Sequence, residues 1–176
     1  VCRLALQLFD ELTILHGYGD EERILLECAA LLHDIGWTTK HTAHHKGSRD
    51  AILAEPFTGL DDTQKLIVAL VARYHRKSHP RSNHKGYRDL SSHHRRVVRV
   101  LSSFLRIADG LDRSHTSNIK KVTCEICEDE VVFRLVTYSS PMTELYGLRK
   151  KVSLFEEVFG LSVWPEPVKE TAYAQG

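Results

Sequence analysis

The stretch Leu31-Leu32-His33-Asp34-Ile35-Gly36 limits this chain more than any other, because it places an imidazole and a carboxylate at the end of an apolar run. Residues Leu25 to Leu32 read LLECAALL, the pattern of a helix meant for an interior. Burying His33 and Asp34 at its end is costly unless something pairs with them. A divalent cation is one economical partner. Adjacent residues on a helix point about 100° apart, so both could reach one ion if further ligands came from other helices. The alternative is a His-Asp pair satisfied by hydrogen bonds and backbone caps.

The rest of the N-terminal two thirds is written in helical period. Val1, Leu4, Ala5, Leu8, Leu12 and Leu15 predict a helix over 1–15 closed by His16-Gly17. Asp20 is the expected cap of the next helix, which runs to about Asp34, with Glu21 and Glu22 complementing its dipole. Residues 37–46 are polar and rich in histidine and read as a loop, and Ser48 is the expected cap of a short helix to about Ala54. A further helix spans Asp61 to about His75. After a basic loop, Ser91 or Ser92 caps a long helix that carries Asp109 into the same apolar context as His33 and Asp34.

After His115 the period changes from 3.6 to 2. Val122, Cys124 and Ile126, then Val131, Phe133 and Leu135, predict a hairpin turning at 128–130. Ser140 and Pro141 open a helix with the stripe Leu145, Leu148, Val152, Phe155 and Phe159, Gly160 stops it, and 161–164 read as a third strand. The expected fold is therefore mainly α: a helical bundle over 1–117, a small α/β (β-β-α-β) subdomain over 118–165 packed on it, and a tail over 166–176. Trp37 and Trp164 read as packing residues. Cys124 and Cys127 lie on opposite faces of a strand and make a poor zinc clamp.

Net charge is only +1, but between Arg73 and Arg99 nine Lys or Arg face one acid, Asp89, with five His interspersed. Such a segment builds a local positive field on a near-neutral protein, or else forms a solvated face whose acids come from neighbouring segments. No apolar run approaches the length of a membrane span and no secretory signal is visible, so a reduced, cytoplasmic setting is the expectation. Helical periodicity already under way at Val1 suggests a piece of something longer.

The stretches LLHDIG (31–36), HHKGS (44–48), ARYHRK (72–77) and LRIADGLDRSH (105–115), and more weakly KKVSLFEEVFG (150–160), resemble the C-terminal HD-type region of the exopolyphosphatase and guanosine pentaphosphate phosphohydrolase (Ppx/GppA) family. The resemblance implies an HD-domain-like bundle with a small α/β piece. It also implies a regulatory and dimerising role with polyphosphate or guanosine polyphosphate as ligand. In that family phosphoanhydride hydrolysis belongs to two upstream actin-like domains, so this chain's own status as an enzyme is left open. On this reading the metal candidates are His33, Asp34, Asp109 and His44, with Mn, Fe or Mg as the ion. The phosphate candidates are Arg73, His75, Arg76, Lys77, Arg81, Lys85 and Arg113. A further histidine of the HD site would fall upstream of Val1, and relatives commonly have His where this chain has Gly47. The alternative function is a stand-alone metal-dependent HD phosphohydrolase acting on nucleotides or phosphate esters. Neither a membrane nor a specific nucleic acid is an expected partner; a homodimer is.

Overall fold

The computed structural model describes residues 1–38 and 44–169, with the side chains of Trp37, Thr38 and His44 outside the description. The helical part contains α1 (Cys2–Glu11), α2 (Thr13–His16), α3 (Asp20–Leu32), a short 3₁₀ helix (Ile35–Thr38), α4 (His44–Ala54), α5 (Asp62–Tyr74) and α6 (Ser92–Leu111). The remainder is β1 (Ile119–Ile126), β2 (Glu130–Thr137), α7 (Met142–Lys151), α8 (Ser153–Phe159) and β3 (Ser162–Lys169). None of the described helices is long and apolar enough to cross a membrane.

Several elements depart from the sequence reading, each for a local reason. The first helix breaks at Leu12, where the Thr13 hydroxyl donates back to the Phe9 and Asp10 carbonyls at 3.3 and 2.9 Å. Gly19, not Asp20, caps α3, and the Glu22 carboxylate accepts from the Gly19 N–H at 3.1 Å. Ser48 lies inside α4 and caps a different helix end: its hydroxyl donates to the His33 carbonyl at 2.6 Å and accepts from the Gly36 N–H at 3.0 Å. That fully buried serine fixes the backbone just past α3. Asp61 and Ser91 cap α5 and α6 as their side chains suggest, accepting from Gln64 N–H at 2.8 Å and His94 N–H at 3.1 Å.

The sheet has the order β1-β2-β3, with β1 antiparallel to β2 and β2 parallel to β3. A parallel neighbour requires a crossover, and α7 with α8 supplies it. The third strand continues through Pro165 and Pro167 to Lys169 rather than ending at Trp164. Two prolines spaced by two residues present the same strand edge, so the missing N–H groups fall on the open side of an edge strand. Trp164 on this strand is 61% exposed and does not pack as the sequence suggested. The opposite edge is closed by α1: Gln7 accepts from the Val122 N–H at 3.1 Å and Glu11 from the Cys124 N–H at 3.0 Å.

One apolar interior joins both parts. Phe104 of α6 meets Phe9 edge-on at 6.3 Å and stacks on Phe159 at 5.9 Å, while Phe155 reaches Phe133 of β2 at 5.8 Å. The fold is thus mainly helical with a small α/β appendage seated on the bundle. Four helices, α3, α5, α6 and α7, all bring their C-terminal ends to one side of it.

Candidate functional site

Those four helix ends surround a cavity of about 700 Å³ lined by Asp34, His75, Arg76, Lys77, Asp109, Arg113, His115, Thr143 and Lys151. His33 and His75 occupy equivalent positions, each at the C-cap of its helix. Each ring turns back so that Nδ1 lies on the carbonyl three residues earlier, Ala30 at 2.8 Å and Ala72 at 2.6 Å. With Nδ1–H donating to those carbonyls, both Nε2 atoms turn toward Asp34, which with His75 lines the cavity. His33 Nε2 is 3.3 Å from Asp34 Oδ2, His75 Nε2 is 3.7 Å from Asp34 Oδ1, and the two rings meet edge-on at 5.0 Å.

Asp109, in the last turn of α6, joins the same cavity, but its carboxylate is held by the ammonium of Lys151, the last residue of α7. The same ammonium donates to the His75 carbonyl at 3.0 Å. Close passage of the two helices makes this possible. A Cβ built on Gly110 would lie 2.8 Å from the Gly147 carbonyl oxygen, and one on Gly147 would collide with the Gly110 carbonyl, so only glycine at both positions permits the crossing. Lys151 sits one turn beyond Gly147, directly over Asp109.

Charge is balanced inside the cavity. Burial opposes charging of His33, but the Asp34 carboxylate, helped by the Ala30 carbonyl and Asp109, lifts its pKa above the usual histidine value. Burial holds His75 neutral, pushing its pKa down to about 3 against the pull of the Ala72 carbonyl and Asp109. Burial would raise Asp109, yet Lys151 brings it below the ordinary carboxylate range. The Lys151–Asp109 ion pair and the His33–Asp34 contact therefore flank the buried imidazole of His75.

This arrangement bears on a divalent ion. His33 Nε2 is the donor to Asp34 when the ring is charged, and Asp109 is already engaged by a cation. Among the described residues no group of three or more His, Cys, Asp or Glu is disposed to hold one ion. As placed, the described donors do not fit a divalent metal, because Lys151 already engages Asp109. His44, the remaining metal candidate, begins α4, and its side chain lies outside the described residues.

The rim is basic. Arg76, Lys77 and Arg113 line the cavity with Lys151, so four cations meet the two carboxylates Asp34 and Asp109. Lys77 and His115 are both non-glycine residues with positive φ, 61° and 55°, which turn the chain sharply after α5 and α6 and set both at the cavity. The buried Arg106 guanidinium supports one of these turns, donating to the Tyr74 and Lys77 carbonyls at 2.9 and 3.3 Å. Of the other phosphate candidates, Arg73 lies over the Tyr74 ring at 5.1 Å, and Arg81 and Lys85 are exposed on the following loop; none of the three lines this cavity. Lys151, His115 and Thr143 were not singled out in the sequence. The only hint was a lysine four residues after a mid-helix glycine.

A family model described as Ppx/GppA phosphatase, domain III, matches residues 1–148. Enzymes of that family act on polyphosphate or guanosine polyphosphates and generally depend on divalent metal. The match spans α1 through most of α7 and takes in His33, Asp34, His75, Asp109 and Arg113. The chain belongs to the Ppx/GppA phosphatase family and carries its C-terminal, HD-type domain III.

Proposed function

We propose that this domain binds phosphate chains, either inorganic polyphosphate or the phosphate groups of a guanosine polyphosphate, along the basic rim of the four-helix cavity. The observation that carries the reading is the gathering of Arg76, Lys77 and Arg113 around one opening in which Asp109 is already paired with Lys151 and Asp34 lies against His33. A phosphate oxygen approaching the rim meets guanidinium and ammonium donors rather than free carboxylates, and guanidinium pairs well with phosphate geometry. The cavity floor is different in character. It is ringed by helix C-termini, whose dipoles favour positive charge, so phosphate belongs at the rim and not at the bottom.

The alternative, metal-dependent phosphoester hydrolysis at His33, Asp34 and Asp109, is the weaker reading. It requires Asp109 to leave Lys151 and Asp34 to leave His33 before those side chains could act as ligands. The test is titration of the chain with inorganic polyphosphate in EDTA, followed by calorimetry across a salt series. Binding is expected to survive chelation, to weaken steeply as salt rises, and to drop when Arg76 and Lys77 are both replaced by Ala. Binding unaffected by that double substitution would refute the rim as the site.

A further inference from the structure

We propose that Lys151 is a resident cation: its ammonium holds the position between Asp109 and the end of α5 that the helix ends and carboxylates make attractive to positive charge, and it thereby excludes a divalent ion. Three observations converge on this. First, α3, α5, α6 and α7 end at Leu32, Tyr74, Leu111 and Lys151, around the cavity, so the negative ends of four helix dipoles lie about one volume. Second, the Asp34 and Asp109 carboxylates and the His75 imidazole line that volume, groups whose chemistry attracts positive charge. Third, one ammonium satisfies both kinds of group at once, donating to the Asp109 carboxylate and to the His75 carbonyl at 3.0 Å.

The placement is built and not incidental. Gly110 and Gly147 let α6 and α7 touch backbone to backbone, and without that contact a lysine at the end of α7 would stop short of Asp109. The ammonium carries one charge where a metal carries two. It neutralises Asp109 while offering no open coordination position, and Lys151 is tethered, so its effective concentration at the site exceeds that of free ions.

Replacing Lys151 by Ala or, keeping the aliphatic stem, by Met should convert the cavity into a divalent cation site made of Asp109, His75 and Asp34. Mn²⁺ titration followed by calorimetry and by paramagnetic broadening of the His33 and His75 ring signals reads this out. The variants are expected to bind Mn²⁺ at least about tenfold more tightly than the unsubstituted chain, with both rings broadened. Adding Asp109→Asn to either variant should abolish the gain. A lysine that merely caps α5 would cost stability on substitution and create no metal affinity. The proposal is overturned if the folded Lys151→Met chain gains no Mn²⁺ binding, if the unsubstituted chain already binds Mn²⁺ at these rings equally tightly, or if the gain persists with Asp109→Asn. Lys151→Gln serves in place of Ala and Met should either fail to fold, with the same three outcomes.

Discussion

Gly147 of α7 rests directly on the backbone of Gly110 in α6, and the whole cavity depends on that contact. A glycine inside a helix costs roughly 1 kcal/mol relative to alanine, so two of them facing each other are retained for what their absence of side chains allows. Gly147→Ala would drive a methyl group into the Gly110 carbonyl, a rigid neighbour that cannot rotate away. The expected loss is about 1–3 kcal/mol in urea unfolding, from overpacking at a helix crossing. Because α7 must move outward to relieve the clash, Lys151 should also leave Asp109, seen as a change in the Asp109 carboxyl titration followed by NMR.

His16 makes the fold sensitive to acid at a site remote from the cavity. Its Nε2–H donates to the Phe9 carbonyl at 2.9 Å, and its Nδ1 accepts from the Tyr18 N–H at 3.0 Å. A proton on Nδ1 would meet that N–H head-on. Burial, opposed by the Phe9 carbonyl, accordingly lowers the pKa of His16. A histidine whose folded pKa is depressed contributes stability above its unfolded pKa, near 6.5, and loses it as pH falls toward the folded value. The unfolding midpoint should therefore drop as pH falls below about 6.5, and His16→Gln should flatten that part of the profile while lowering stability at neutral pH. A midpoint that rises on acidification in this range would contradict the assignment.

Lys77 separates binding from stability. Its φ of 61° disfavours an L-residue by about 1–2 kcal/mol, whereas glycine would adopt it freely at the expense of a more disordered unfolded chain. Those effects oppose each other, so Lys77→Gly should change unfolding free energy by less than about 1 kcal/mol. Polyphosphate affinity should nevertheless fall, because a rim cation is gone. Unchanged affinity alongside unchanged stability would remove Lys77 from the binding rim.

Much of this architecture is legible in the sequence where a local rule decides it. Ser91 caps the long helix as expected, the helix expected from Asp61 starts at Asp62, and the change of period after His115 marks the hairpin. Asp109 shares an apolar context with His33 and Asp34, and the structure brings it to the cavity lined by Asp34 and His75. What escaped the sequence depends on tertiary contact. Ser48 has the composition of an N-cap, yet it bonds backbone 15 and 12 residues away, which no helical pattern reveals. Lys151 reads as an ordinary basic residue at a helix C-terminus until the Gly110 and Gly147 crossing delivers it to Asp109, 42 residues earlier. The third strand runs through two prolines that look like terminators, and only its place at the sheet edge makes them acceptable.

A second basic surface provides the internal control for the central claim. Arg95, Arg96 and Arg99 border another cavity of about 450 Å³ together with Tyr87 and Glu157, and there Glu157 accepts from Arg99 at 2.7 Å. If binding were only a matter of positive charge, both surfaces would respond alike. Mapping amide chemical shifts while titrating inorganic polyphosphate distinguishes the two. The account predicts that shifts concentrate at 75–77, 113–115 and 151, around the four-helix cavity, and saturate there first. Shifts centred on Arg95, Arg96 and Arg99, or spread evenly over every exposed cation, would contradict it.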